Sequence, residues 1–189
     1  MTRQRPFSTD IDLTTGKMSV YERHTTRHAS DMSGYFHIDL DDDPLIYEYY
    51  ERDVPAEAGQ IVQNITIVYP GTVDGEYYMT KGHYHANMKC SEVYLCLSGE
   101  GCLVMQTSRG EWDVKEYQPG RTVYVPPGWA HRSVNTGDKS LVLYAVFPAH
   151  SGHDYDKISK RGFLVKVMRN ESGQPSLLVP GEGNRGVQL

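Results

Sequence analysis

Residues 81–94, KGHYHANMKCSEVY, set His83 and His85 one residue apart and place Glu92 seven residues beyond the second histidine. Side chains of a β-strand alternate between its two faces, so histidines at i and i+2 project the same way. A strand entered soon afterwards can bring a carboxylate alongside them. Two imidazoles and a carboxylate aimed at one point form a metal-ligand set, so the stretch predicts strands that carry a metal site.

The chain on either side supports a β reading. From Ile61 onward, β-branched and aromatic runs follow one another: NITIVYP, EVYLCL, CLVMQT, EWDVKEY, TVYVP, LVLYAVF and FLVKVM. Asp74-Gly75, SGEG at 98–101, SRG at 108–110, PG at 119–120 and TGDK at 136–139 punctuate them as turns. This spacing predicts an all-β fold, an antiparallel barrel or sandwich. The first 60 residues are less regular, with an acidic run at 41–43 and then PLIYEYYERDVPAEAG, which fits a short helix or an edge extension. We expect residues 1–60 to form an arm packed on the barrel or on a second subunit. Residues 61–180 should form the barrel, and the apolar-poor tail at 181–189 should fray.

Composition narrows the function. A chain of 189 residues with 39% apolar content can bury a core without disulfides. The longest apolar run, 141–147, falls well short of the roughly 20 residues a spanning helix needs. The Arg-bearing N-terminus lacks the apolar core of a signal peptide. A soluble, cytoplasmic protein is the expectation. Cys90, Cys96 and Cys102 have no CxxC spacing and read as reduced packing residues. A net charge of −5 without a basic run argues against nucleic-acid and membrane partners and leaves small molecules.

A fourth ligand candidate, His131, sits in PPGWAHRSVN at the edge of another strand. Neutral imidazoles with one carboxylate suit divalent Fe, Mn, Co, Ni or Zn and disfavour calcium, which prefers oxygen donors. Period-2 geometry also turns Glu92 and Tyr94 to the same side of their strand.

These residues carry a family resemblance. HYHANMKCSEVYLCLSG resembles the first cupin motif, HxH followed by Glu and, after six more residues, by Gly99. GRTVYVPPGWAHRSVN matches the second motif, with Gly120, Pro126, Gly128, His131 and Asn135 in register. Together they imply a cupin double-stranded β-helix, a jelly-roll barrel. Six residues separate HxH from Glu92, where most cupins have three or four. With YPGTVDGEYYMTKGHYHA before and AVFPAHSGHDYDKISKRGF after, that spacing makes residues 61–163 similar to the cupin-type phosphoglucose isomerases.

The resemblance implies interconversion of glucose 6-phosphate and fructose 6-phosphate by a cytoplasmic homodimer with one divalent metal per subunit. Fe2+ is the foremost ion, with Mn2+, Ni2+ or Zn2+ as alternatives. It makes His83, His85, Glu92 and His131 the metal ligands. Thr66, Thr80, Gly82 and Tyr94 then surround the sugar phosphate, with Tyr47 reaching in from the arm and His153 and Tyr155 near the sugar. Phe147 stands where the resemblance leads us to expect a tyrosine, so one hydroxyl contact would be missing. The Thr66 and Thr80 hydroxyls, the Gly82 amide and Lys81 are candidate phosphate donors. Glu92 is the expected catalytic base for a cis-enediol route, assisted by His153, with hydride migration as the competing route. A cupin Fe(II) dioxygenase and a non-catalytic sugar-binding cupin are the alternative functions.

Overall fold

A computed structural model describes residues 5–36 and 42–179; the tail at 180–189 and Asp41 of the acidic run lie outside the described residues. The segment ahead of Ile61 provides β1 (Arg23–His28), a 3-10 turn (Ser30–Met32) and β2 (Leu45–Arg52). Next come β3 (Ile61–Val68), β4 (Thr72–Val73), β5 (Glu76–Tyr77), β6 (Tyr84–His85), β7 (Glu92–Ser98) and β8 (Gly101–Thr107). They are followed by β9 (Trp112–Tyr117), β10 (Thr122–Val125), β11 (Trp129–Asn135), β12 (Leu141–Pro148) and β13 (His153–Asp154). Helix α1 (Asp156–Arg161), β14 (Lys166–Arg169) and β15 (Pro175–Leu178) complete the order.

One antiparallel sheet runs β1-β2-β3-β12-β7-β10, and the shorter sheet β11-β8-β9 supplies another wall. Between them lies the main apolar core, with Ile46, Val68, Leu103, Leu143 and Ile158 each 1% exposed or less. A second cluster, Met18, Tyr50, Ile65, Ile67 and Val142, lies apart from that core. Part of its cover is the bridged segment Ile11↔Met18. Gly16 allows that segment to come close, because a Cβ there would lie 2.8 Å from Val142 Cγ1 and 2.9 Å from Ile67 Cγ1. Strand β3 is therefore buried on both faces, and clean hydrophobic alternation is lost along it.

Asn135, fully buried, ties the construction together. Its Nδ2 donates to the carbonyls of Val68 and Lys139, each at 2.8 Å, and its Oδ1 accepts from the Gly137 N–H at 3.0 Å. Strand β3, the end of β11 and the following turn thus share one side chain. The three cysteines are free and buried, as expected of packing residues. Burial pushes Cys96 up to about 11 and Cys102 up to about 12, so neither offers a thiolate at neutral pH.

Several local readings change. PLIYEYYER, open between helix and edge extension, is a strand paired in register with β3 on one side and β1 on the other. His131 lies in the middle of β11, not at a strand edge, paired opposite Met105. Strand β14 starts at Lys166, so Phe163, Leu164 and Val165 of the FLVKVM run precede it, and the Leu164 N–H donates to Gln106 Oε1 at 2.7 Å. Helix α1 was not anticipated. Its signals are Asp156 in the first turn, Lys160 and Arg161 in the last, and Gly162 just beyond at φ +69°.

Candidate active site

Period-2 projection builds one wall of a pocket of ≈ 650 Å³, a volume that includes its open mouth. Strand β2 contributes Tyr47, Tyr49 and Glu51, each two residues from the next. Asn64 and Thr66 on β3, and Glu92 and Tyr94 on β7, follow the same rule. Phe147 enters from β12.

The facing wall is irregular. His131 and Ser133 come from β11, and the stretch Thr80, Gly82, His83 is laid against that strand. The Thr80 N–H donates to Ser133 O at 2.9 Å, and His83 and His131 exchange backbone bonds at 3.2 and 3.1 Å. His85 follows on the two-residue strand β6, opposite His153 of β13. His153 and Tyr155 close the pocket from that side.

His83, His85, Glu92 and His131 meet at the base. One ligand atom from each lies within 4.8 Å of all the others. Glu92 Oε2 is 3.1 Å from His85 Nε2 and 3.0 Å from His131 Nε2. Two donors at right angles, each about 2.1 Å from a shared ion, would stand about 3.0 Å apart. The Nε2 atoms of His83 and His131 are buried and lack an aligned hydrogen-bond partner among the described residues. Such orphaned lone pairs are costly unless something cationic lies between them. The far side of His85 is fixed, since its Nδ1 is 3.1 Å from the Cys90 carbonyl, which leaves Nε2 as the nitrogen available to an ion. The donor set fits a divalent transition ion.

Electrostatics agree with ligation. Burial opposes a charge on Glu92, yet His131 and the hydrogen bond to His85 outweigh it and hold the carboxyl well below its usual range. Burial, reinforced by His131 and His153, pushes His83 well below the ordinary imidazole value. An ionised carboxylate and a neutral imidazole are the forms a metal takes. His85 is shifted upwards: burial opposes this, but its pairing with Glu92 wins. His153 is exposed at one edge, but its ring packs 4.4 Å from that of His83, centroid to centroid, and burial lowers its pKa to about 4. Tyr94, buried, faces the Glu92 carboxylate, and burial followed by that charge keeps its hydroxyl protonated.

The structure thus gathers the four candidate ligands at one point, and Tyr47, Thr66, Thr80, Gly82, Tyr94, Phe147, His153 and Tyr155 all face the same pocket. Lys81 is not among the lining residues; its ammonium sits 5.7 Å over the Tyr35 ring. Sequence reasoning missed Tyr49, Glu51, Asn64, Ser133 and Arg23. The first four carried a signal, because Tyr49, Asn64 and Ser133 are each two residues, and Glu51 four, from a residue already placed in the pocket or its ligand set. Arg23 did not. It reaches the mouth through the β1–β2 pairing, 3.5 Å from Glu51 Oε2.

Comparison with known proteins agrees with this geometry. The family model described as glucose-6-phosphate isomerase (GPI) matches residues 29–176. The chain is 41% identical over 182 residues to the glucose-6-phosphate isomerase of Thermococcus litoralis, covering 92% of this chain and 94% of that one. Identity to the enzyme of the same name from Sinorhizobium medicae is 32% over 177 residues, covering 89% and 83%. Among solved structures, an oxalate oxidase aligns at TM-score 0.50 and 16% identity, over 60% of this chain and 56% of the other. That likeness carries the cupin barrel fold and not the oxidase chemistry. With matched sequence over nearly its whole length, the chain belongs to the glucose-6-phosphate isomerase family.

Proposed function

We propose that this protein interconverts glucose 6-phosphate and fructose 6-phosphate as a metal-dependent isomerase. The observation that carries the reading is the meeting of four ligand atoms within 4.8 Å, in a chain of this family, at the base of a pocket with neutral hydroxyl and amide donors. No helix among the described residues is long and apolar enough to cross a membrane. Cytoplasmic location and a homodimer are part of the proposal. Exposed Phe7, Val20, Tyr21 and Ile61 support a second copy packing on the arm side.

His83, His85, Glu92 and His131 would hold the ion, Fe2+ foremost, with Mn2+, Ni2+ and Zn2+ accepted by the same donors. When bound, the metal supplies Lewis-acid stabilisation of negative charge developing on the two sugar oxygens. Thr66, Thr80, Gly82 and Tyr47 bind the phosphate end and fix the sugar's orientation, while Tyr94 flanks the reacting carbons. Two proton transfers are required. One moves from C2 to C1 and the other from O2 to O1, so that an aldose becomes a ketose through a cis-enediol. Among the described residues Glu92 is the only carboxylate at the base of the pocket, and it is assigned the carbon-bound proton, taking it from C2 and returning it to C1. His153, neutral at pH 7, can accept or relay a hydroxyl proton during ring opening.

A coupled fructose 6-phosphate assay on chelated and metal-reloaded protein tests the reading. Activity should vanish with chelation and return with Fe(II), Mn(II) or Ni(II). Activity indifferent to chelation would remove the metal's role. In heavy water, the proton route predicts solvent deuterium at C2 of the glucose 6-phosphate formed from fructose 6-phosphate, and at C1 of the product in the reverse direction. Complete retention of the original hydrogen would instead exclude a freely exchanging proton on Glu92 and favour the hydride shift.

A further inference from the structure

Arg132 follows the ligand His131 on β11 and belongs to neither the metal set nor the pocket lining. Only 5% exposed, it is a guanidinium placed inside the protein. No carboxylate lies within ion-pair distance among the described residues, and its Nε has no partner. The largest acidic influence on it is Glu76, which is committed to Lys166 at 2.7 Å. Buried cations without counter-ions are costly, and Arg does not shed its proton. Stacking offsets part of that cost, since Arg132 Cζ lies 4.3 Å from the centre of the Phe163 ring and 5.7 Å from that of Tyr35.

One hydrogen bond shows what the charge does. Arg132 Nη2 donates to the Lys81 carbonyl at 3.0 Å. That carbonyl and the Gly82 N–H belong to the same trans peptide unit, whose C=O and N–H point in opposite directions. Fixing the carbonyl towards Arg132 aims the Gly82 N–H away from it. Gly82 lines the pocket, and no acceptor is paired with its N–H among the described residues. Hydrogen bonds in series polarise one another, so a cation on the carbonyl makes the N–H across the peptide a stronger donor. Phe163 locks the arrangement. A Cβ at position 82 would lie 2.6 Å from its Cε2 and 2.9 Å from the His131 carbonyl, and φ at Gly82 is +72°. Only glycine meets both demands.

We propose that Arg132 is a positioning residue for the substrate's phosphoryl group, acting through the Lys81–Gly82 peptide: it aims and polarises the Gly82 N–H so that buried positive charge reaches the anion without touching it. This rests on the sugar-phosphate reading above. It also accounts for phosphate binding in an acidic protein whose nearby lysine is turned away from the pocket.

The test uses metal-loaded full-length protein with Arg132→Met, which keeps the apolar stem, and Arg132→Lys, which keeps the buried charge. Loss of the charged donor should raise KM for fructose 6-phosphate and Ki for inorganic phosphate together, by about tenfold. Metal content should stay at the wild-type level, kcat should change by less than about threefold, and the lysine variant should recover most of the binding. In the Zn-loaded wild type, which is diamagnetic, inorganic phosphate should shift the 15N–1H resonance of Gly82, and the methionine variant should show a much weaker response. An unchanged phosphate Ki, or metal lost in parallel with kcat, would overturn the proposal. So would a turning-over wild type whose Gly82 amide ignores phosphate, a result that needs no substitution and stands even if the methionine variant does not fold. A wild type that shows the Gly82 shift but no isomerase turnover would defeat the isomerase reading and support the anion site.

Discussion

The two walls of the pocket are made by different means. Tyr47, Tyr49, Glu51, Asn64, Thr66, Glu92 and Tyr94 project from strands of seven or eight residues, each paired on both sides within one sheet. Thr80 to His85 and His153 to Tyr155 rest on two-residue strands and single bridges. The first wall is held by backbone ladders that any β-forming sequence could supply. The second depends on particular side chains: Arg132 on the Lys81 carbonyl, Phe163 against Gly82, and Thr80 Oγ1 accepting from the Ser133 N–H at 3.1 Å. The candidate metal ligands straddle the division, with Glu92 on the first wall, His83 and His85 on the second, and His131 on the strand against which the second is laid.

Breaking the junction between the walls should have the largest effect. His131→Ala removes a proposed ligand that is 2% exposed and linked by its backbone to His83, so metal per chain should fall far below one and activity by at least about 100-fold. Metal analysis beside the coupled assay checks this; a fully loaded, fully active variant would show that the fourth ligand had been misassigned. Glu92→Gln keeps the shape of the regular wall while removing its charge. It should cut kcat by about 10²- to 10⁴-fold if Glu92 moves the proton, even at saturating metal. A loss fully reversed by added metal would mean that it only ligates.

Asn135→Ala acts on the scaffold. Deleting three hydrogen bonds, one buried and two part-buried, should destabilise the protein by about 3 kcal/mol, read as a lower denaturant midpoint with an unchanged m-value. Activity measured well below the midpoint should change little, because the partners of its side chain, Val68, Lys139 and Gly137, do not line the pocket. Phe147→Tyr should have the smallest effect. A hydroxyl added beside the sugar on the regular wall should lower KM by a few-fold, the worth of about one neutral hydrogen bond. An unchanged KM would mean that this ring packs against His85 and His153 and does not meet the sugar.

The same division explains what could be read from the sequence. On the regular wall, Glu92 and Tyr94 share a face because of period 2, and the extension of that rule to Tyr47, Tyr49 and Glu51 was visible once PLIYEYYER is known to be a strand. Mixed burial concealed it, since Leu45–Arg52 has buried residues on both faces and no clean alternation. Strand β11 was hidden for a related reason: six of its seven residues are buried, while Arg132, Ser133 and Asn135 give it a polar appearance. On the irregular wall, HxH was legible because the ligand chemistry is specific, but Arg132 was not, since its partner is a carbonyl 51 residues away. The pairing that places Arg23 at the mouth beside Glu51 is likewise a property of the folded sheet.

The position of β1 has one more consequence. Among the described residues it pairs on one side only, and a bulge between Arg27 and His28 interrupts that pairing. Edge strands open at lower free energy than interior ones. On warming, the rim that Arg23 and Glu51 form should loosen first, while Glu92 stays clamped between neighbours. Recognition of the sugar and retention of the ion would then fail at separate temperatures, the former lower than the latter.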